Sequence, residues 1–113
     1  MQVISTSKTI FLPSVDSTNE EAKRRIKQIV EPTWIITDKQ TEGKGRHGKV
    51  WYDGKGNFTG SLVFFPKTNP AKFFLYGFFI GVALHDTIKL ISDKPLDLFL
   101  KWPNDIILEG RKL

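Results

Sequence analysis

The sequence predicts a small mixed domain, α/β or α+β, that takes up all of residues 1–113. Two observations lead to this fold class. Apolar stretches follow one another in the order strand, helix, strand, long loop, strand, helix, strand, strand. In addition, 40% of the 113 residues are hydrophobic, with nine Phe and three Trp, which is enough for a core and argues against disorder.

The first half of the chain predicts a strand followed by a capped helix. Thr9–Val15 is apolar and β-branched, a strand pattern interrupted by Pro13. The run Asp16–Asn19 then offers several helix N-caps, with acidic residues at capping-box spacing behind them. Apolar residues at helical spacing follow, so we predict a helix over residues 18–30 that ends before Pro32.

The rest of the chain predicts further strands, a second helix and a hairpin. Glu109–Gly110 resembles a tight hairpin turn, in which the glycine supplies a positive φ. The other predicted elements are strands at Trp34–Thr37 and Ser61–Phe65, a helix from Asn69–Pro70 to about Ile91, and strands at Leu96–Trp102 and Ile106–Leu108.

The sequence stops at Arg111–Leu113, where the return strand of the last hairpin begins. We therefore expect a truncated sheet, with unpaired backbone on the strand Ile106–Leu108 and with uncovered Phe-rich segments. As an isolated monomer, a chain of this length is expected to be poorly stable and enzymatically silent.

Composition predicts a cytoplasmic protein without a membrane span. The sequence contains no Cys, which excludes disulfides and thiolate chemistry, and its first residues do not resemble a signal peptide. The most apolar stretch, Phe73–Leu84, is shorter than the roughly 20 residues that cross a bilayer. We predict that it forms a helix buried against a sheet, with Gly77 and Gly81 allowing close approach.

Positive charge is concentrated in one loop. The sequence has a net charge of +5, and between Lys39 and Lys55 five basic residues stand against two acids. Such a loop favours an anionic partner, either a phosphate compound or a nucleic acid, although most runs of charge are merely solvated surface.

Inside this loop, residues 40–51 read Gln-Thr-Glu-Gly-Lys-Gly-Arg-His-Gly-Lys-Val-Trp. Glycines that alternate with cations allow backbone N–H groups and side chains to converge on one anion. The pattern is not a P-loop, and no helix pattern follows the glycines as it would in a Rossmann fingerprint. Taken alone, such a stretch is more often an ordinary solvent loop.

A second candidate is the pentapeptide Lys-Trp-Pro-Asn-Asp, residues 101–105, at the end of an apolar strand. Pro103 holds the turn and Trp102 can anchor it by packing. Lys101 is then a cation at the edge of the sheet, useful where a carboxylate meets a phosphate. In isolation, a surface lysine at a strand end is the simpler explanation, just as helix capping alone explains Asp16–Asn19.

Together, the three motifs resemble the biotin protein ligases in order and spacing. The shared motifs are Asp-Ser-Thr-Asn, Gln-Thr-x-Gly-Lys-Gly-Arg-x-Gly-Lys-x-Trp and Lys-Trp-Pro-Asn-Asp, and the resemblance runs from about Phe11 to Leu113. It implies an α+β fold of the class II aminoacyl-tRNA synthetase and biotin synthetase type, with helices packed on a mixed β-sheet. The chain would be the N-terminal part of that catalytic domain.

The resemblance also implies roles for individual residues. Arg46 and Lys101 would be the catalytic cations. No protein ligand for a metal is predicted, but Mg²⁺ would accompany ATP. The biotin-binding residues would be Ser17, Thr18, Gln40, Gly43, Arg46 and Lys101, and the ATP- or adenylate-binding residues Lys44, Gly45, Arg46, His47, Lys49 and Trp51.

The implied activity is that of a biotin–[acetyl-CoA-carboxylase] ligase. Such an enzyme forms biotinyl-5′-AMP from biotin and ATP, then passes biotin to a lysine of a biotin carboxyl carrier protein. Fixed cations are needed because a carboxylate must attack an anionic α-phosphate. Three alternatives stay open: a lipoate or octanoate ligase of the same superfamily, an inactive ligase fragment, and a basic nucleic-acid-binding module.

The sequence also departs from the family pattern. Lys44 and Lys49 stand where arginine is more frequent, so charge is kept while bidentate phosphate binding is lost. The downstream part of the catalytic domain and a small C-terminal domain are not in this sequence. Nor is an N-terminal helix-turn-helix, so no DNA-binding domain is expected in this chain.

Overall fold

The computed structural model of the chain describes residues 7–51, 54, 56–101 and 105–113, with only the backbone of Arg46. The chain forms two compact units, Met1–Pro66 and Lys67–Leu113. The predicted turn residues 102–104 lie outside the described residues.

The sheet of the first unit has three strands, β1 (Lys8–Val15), β2 (Thr33–Gln40) and β3 (Thr59–Val63). Their order is β1-β2-β3; β1 and β2 are parallel, whereas β2 and β3 are antiparallel. The predicted mixed sheet is therefore confirmed. Pro13 lies within β1 without ending it, which is tolerated because β1 has a neighbour on one side only in the described sheet.

Helix α1 (Thr18–Arg25) connects the two parallel strands and begins where the sequence predicts. Ser17 is its N-cap: the hydroxyl accepts a hydrogen bond from the Glu20 N–H at 3.4 Å. The helix was predicted to reach residue 30, but it passes into a 3₁₀ turn at Ile26–Gln28. It ends early because Ile29 adopts an extended conformation and is buried.

One face of the first sheet lies under α1. The side chains of Thr33, Ile35 and Thr37 alternate along β2 and are all buried, with Ile35 fully inaccessible. α1 contacts both β2 and β3. Because Ser61 of β3 lies directly opposite Ile35, its hydroxyl is on the same face, beneath the start of the helix. This register brings β3 into the site described below.

The second unit combines one long helix with an antiparallel sheet. A 3₁₀ turn at Pro70–Lys72, capped by Asn69 as predicted, leads into α2 (Phe74–Ile91). Three strands follow, β4 (Leu98–Lys101), β5 (Asp105–Leu108) and β6 (Arg111–Lys112), in the order β4-β5-β6.

The final hairpin has more backbone pairing than the sequence predicts. Glu109 and Gly110 have φ values of 51° and 80°, the left-handed pair that a tight hairpin turn requires. The expectation that Ile106–Leu108 would be left with unpaired backbone is wrong. β5 pairs with β4 on one side and β6 on the other, and the Leu113 N–H donates to the Ile106 carbonyl at 2.8 Å.

Helix α2 is not the buried helix that its composition predicts. None of its residues is buried, although it contacts β4 and β5, because three short strands offer little area to cover an 18-residue helix. Neither glycine is needed for close approach: a Cβ at Gly81 would meet Leu100 Cδ2 at an ordinary 3.6 Å, and Gly77 faces open space. His85 Nε2 and the Leu98 carbonyl, 3.0 Å apart, link α2 to β4.

By length and composition alone, α2 could cross a membrane, with a mean hydropathy of 1.4 over 18 residues. Among the described residues, no second helix meets that standard. Core helices of water-soluble proteins can meet it as well. The absence of a membrane span therefore stays a prediction from sequence.

Candidate active site

Three chain segments converge beside the N-terminus of α1. They are the junction between β1 and α1, the C-terminal end of β2 with the loop that follows, and β3. Two backbone hydrogen bonds join the first two segments: Thr41 N–H to the Val15 carbonyl at 2.9 Å and Glu42 N–H to the Asp16 carbonyl at 2.7 Å. The root of the glycine-rich loop is thereby fixed to the start of the helix.

A network of polar side chains lies at this convergence. Gln40 Oε1 accepts a hydrogen bond from the Thr18 N–H at 2.9 Å. The Thr18 hydroxyl is 2.8 Å from the Ser61 hydroxyl, which donates to Asn19 Oδ1 at 2.5 Å. Ser17 and Thr18 are 6% and 4% exposed, so these groups are largely withdrawn from water. Buried hydroxyl groups beside the amide groups of Gln40 and Asn19, which stay accessible, suit a small polar ligand.

The network forms one wall of a cavity of about 220 Å³. Lys44 and Trp51 of the loop also line it, as does Phe58, whose ring packs edge-on against Trp34 at 5.9 Å. The cavity therefore combines hydrogen-bonding groups with one cation and two aromatic rings.

The glycine-rich loop folds back on itself as a small hairpin. Lys44 and Val50 form an antiparallel bridge, the Gly45 N–H donates to the Lys49 carbonyl at 2.6 Å, and the Trp51 N–H donates to the Gly43 carbonyl. At the tip, His47 has a φ of 60°. Two of the loop's N–H groups are thus bonded inside the loop, so those two are not available to an anion in this conformation.

Gly43 is buried, and a side chain there would require the Gln40 amide to move. A Cβ at this position would overlap the amide nitrogen of Gln40 and lie 3.0 Å from the Trp51 carbonyl oxygen. Since Gln40 accepts the Thr18 N–H, the absence of a side chain at Gly43 keeps the polar network in place.

A second cavity, of about 510 Å³, lies along the loop and shares Gln40, Lys44 and Trp51 with the first. Lys39 and Lys44 line it together with Glu42, so its wall carries a net positive charge. A site with a small polar chamber beside a larger cationic one can hold a polar ring next to an anion.

An ion pair supports the junction from outside. The Arg24 guanidinium donates to both oxygens of Asp16, at 3.0 and 2.5 Å, and these hydrogen bonds lower the pKa of Asp16 to about 2. Arg24 also donates to Glu21, and the hydrogen bonds from Arg25 and Arg24 lower the pKa of Glu21. Because the Asp16 carboxylate also accepts the Ser17 N–H, the pair holds the turn that begins α1.

The structure brings together most of the residues singled out by the sequence. Ser17, Thr18, Gln40, Lys44 and Trp51 line the two cavities, with Gly43 on the wall of the larger one; Gly45 lies beside them in the loop hairpin and lines neither. His47 and Lys49 are exposed near the loop tip, and the side chain of Arg46 lies outside the described residues.

Lys101 belongs to the second unit. It is exposed, at the end of β4, and faces Asp105 across the strand pair. Asp105 also forms an ion pair with Lys112 at 3.2 Å. The roles implied for Arg46 and Lys101 therefore stay predictions.

Sequence reasoning missed Ser61, Phe58 and Arg24. A serine in an apolar strand and an arginine on a polar helix face carry no signal of their own. Ser61 can be assigned to the site only once the register of β3 against β2 is known.

The sequence model of the biotin/lipoate A/B protein ligase family matches residues 11–113. The chain belongs to this family. It is 34% identical over 103 residues to a biotin–[acetyl-CoA-carboxylase] ligase of Paracoccus denitrificans, covering 91% of this chain and 43% of that protein. It is also 34% identical over 104 residues to the bifunctional ligase/repressor BirA of Escherichia coli, covering 90% of this chain and 32% of BirA.

Solved structures of biotin protein ligases have the same fold. The chain is similar to the Helicobacter pylori biotin acetyl coenzyme A carboxylase synthetase with bound biotinylated ATP, with a TM-score of 0.80 and 25% identity over 95% of this chain and 52% of that one. The Aquifex aeolicus biotin protein ligase in complex with biotin and ATP gives a TM-score of 0.78 and 29% identity, covering 94% and 44%. The chain thus spans about half the length of these proteins, or less.

Proposed function

We propose that this chain contributes the biotin-recognition part of a biotin protein ligase. The observation that carries the proposal is the network of Thr18, Gln40 and Ser61, which faces a small chamber beside a cationic cavity. The relatives named above support biotin, rather than lipoate, as the substrate.

The small chamber suits the ureido ring of biotin. A cyclic urea presents one carbonyl acceptor and two N–H donors, so it needs both donors and acceptors from the protein. The Thr18 and Ser61 hydroxyls carry acceptor lone pairs, and the side-chain amide of Gln40 carries N–H donors. In a buried site such matching is selective, because a ligand that lacks a partner group leaves a protein group unsatisfied.

The larger cavity suits the place where biotin meets ATP. In the proposed reaction an oxygen of the biotin carboxylate bonds to the α-phosphorus, and the bond to pyrophosphate breaks. The amine of a carrier lysine then attacks the carbonyl carbon of the mixed anhydride, AMP leaves, and the amine loses a proton. Lys39 and Lys44 reduce the repulsion between the two anions in the first step.

Mg²⁺ is proposed to arrive with ATP. In the part of the chain that the structure describes, no three carboxylate or histidine side chains gather as ligands. We propose an ion carried mainly by phosphate oxygens, which is how Mg²⁺ often binds beside nucleotides. When bound, the ion would neutralise charge on the leaving pyrophosphate.

The proposed partner is a biotin carboxyl carrier protein, and the proposed location is the cytoplasm. The test uses the complete product of the reading frame that encodes this sequence, here called the complete gene product. Incubated with biotin, ATP, Mg²⁺ and a carrier domain, it should add biotin to a single carrier lysine, as read by mass spectrometry. Modification by lipoate in place of biotin would favour the lipoate ligase alternative and refute the proposal.

A further inference from the structure

Resting on the proposed function, we infer that Ser61 and Asn19 orient the Thr18 hydroxyl so that it can only accept a hydrogen bond from the ligand. This makes Ser61 a positioning residue for specificity: it selects a ring that carries an N–H donor. The inference starts from the three hydroxyl and amide groups that meet in the small chamber.

The direction of the two hydrogen bonds that join Thr18, Ser61 and Asn19 follows from the number of hydrogens that each group carries. Asn19 Oδ1 carries no hydrogen, so the Ser61 hydroxyl donates in their 2.5 Å contact. A serine hydroxyl has one proton, so Ser61 must accept in its 2.8 Å contact with Thr18. The Thr18 proton is therefore directed at Ser61.

The other acceptor within reach of the Thr18 hydroxyl proton, Gln40 Oε1, makes the weaker contact. Gln40 Oε1 lies 3.4 Å from the Thr18 hydroxyl and already accepts the Thr18 N–H at 2.9 Å. The shorter contact with Ser61 is the stronger of the two. With its proton committed, Thr18 has only lone pairs left for a ligand in the chamber.

A Thr18 hydroxyl that can only accept a hydrogen bond distinguishes between biotin and lipoate, the two substrates in the name of the family. A ureido ring supplies an N–H donor, whereas the dithiolane ring of a lipoyl group has none and would leave the lone pairs of the Thr18 hydroxyl without a donor, in a residue that is only 4% exposed. Buried groups without a partner are costly, so a committed acceptor rejects the wrong ring. Ser61 thereby contributes to selectivity through Thr18.

The test compares biotin with two carbamate analogues, in each of which an oxygen replaces one ureido N–H. Affinities are measured by calorimetry on the complete gene product. The wild-type protein should discriminate against one analogue by at least about tenfold, the loss of one good hydrogen bond. In Ser61→Ala the Thr18 proton can turn to the ligand, so this preference should shrink to about threefold or less, while discrimination against the other analogue stays unchanged.

Asn19 provides a matched pair of variants. Asn19→Asp retains an acceptor, so the wild-type preference between biotin and the analogue should persist. Asn19→Ala releases the Ser61 proton and should reduce the preference as Ser61→Ala does. Ser14→Ala, an exposed serine on β1, is the control for a general effect of removing a hydroxyl.

Equal losses of affinity for biotin and both analogues in Ser61→Ala would show a merely structural role and overturn the inference. Loss of the preference in Asn19→Asp would do the same. A wild-type protein that binds neither biotin nor the analogues would instead refute the proposed function.

Discussion

The helices of the two units meet their sheets in different ways. In the first unit, α1 covers Thr33, Ile35 and Thr37, and the groups at its N-terminus are joined to β2 and β3 by hydrogen bonds. In the second unit, α2 is longer and far more apolar, but none of its residues is buried. Phe74, Phe79 and Leu90 are among its exposed side chains.

The difference shows that hydrophobic content and burial are separate properties of a segment. The polar α1 is fixed by its cap, by the Asp16–Arg24 ion pair and by a specific register, whereas α2 carries apolar surface that its own unit leaves uncovered. The first unit therefore buries polar groups that make specific hydrogen bonds, whereas the second leaves a large apolar surface exposed.

The largest expected effect concerns the two predicted catalytic cations, one from each unit. In the complete gene product, Arg46→Ala and Lys101→Ala should each lower the rate of biotin adenylation by at least about tenfold, because each removes a fixed charge from the transition state. Single-turnover formation of biotinyl-AMP measures this. Lys89→Ala, an exposed lysine at the end of α2, is the matched control. Full activity of Lys101→Ala would remove that residue from the catalytic set.

The contrast in burial predicts a contrast in stability. Ile35→Ala should lower the free energy of unfolding by about 2–5 kcal/mol, because it leaves a cavity where the Ile35 side chain is fully buried. Phe79→Ala removes an exposed ring and should change that free energy by less than about 0.5 kcal/mol. Urea unfolding of the 113-residue chain, at a protein concentration low enough to limit association, compares the two.

The same exposed surface should make the isolated chain associate. Size-exclusion chromatography should show oligomers that Phe74→Gln and Phe79→Gln together reduce. A monomeric wild-type chain with a sharp thermal transition and micromolar biotin binding would contradict the predicted instability.

A smaller effect is expected within the glycine-rich loop. Gly43→Ala should displace the Gln40 amide from the Thr18 N–H and weaken biotin binding by about tenfold, the loss of roughly one hydrogen bond. In Gly45→Ala the added Cβ would meet its nearest neighbour at an ordinary 3.7 Å, so biotin affinity should change much less. Equal losses in both variants would argue against the steric role of Gly43.

Some elements of both units could be predicted because their signals are local. The caps and acids at residues 16–21 predict the start of α1, and Glu109–Gly110 predicts its turn from two residues. Ser61 could not be predicted, because its role depends on the register that places it opposite Ile35. The prediction that α2 is buried was wrong, because composition indicates that a surface is apolar but not whether a neighbour covers it.

Thr18 illustrates the limit of local signals. Its spacing to Glu21 is that of a capping box, but Ser17 is the residue that caps the helix. The helix-stability cost of about 1 kcal/mol for losing a cap therefore belongs to Ser17→Ala. Thr18→Ala should act on biotin affinity through the contacts with Gln40 and Ser61.

The smallest effect is expected from pH. Since the pKa of Asp16 is lowered to about 2, the Asp16–Arg24 pair should contribute its full stabilisation above about pH 4 and lose it as the pH falls towards 2. NMR titration of the Asp16 carboxyl carbon follows the protonation directly. In Arg24→Gln the pKa should return towards the ordinary value of 3.8. An unshifted pKa in the wild-type chain would show that the pair does not form in solution.

The exchange of labelled pyrophosphate into ATP by the complete gene product, without any carrier protein, tests the assignment most directly. It reports the adenylation step alone and depends on the acid supplied. We predict exchange with biotin and Mg²⁺, and none above background with lipoate or with amino acids. Exchange driven by lipoate or an amino acid, or its absence with biotin, would contradict the assignment.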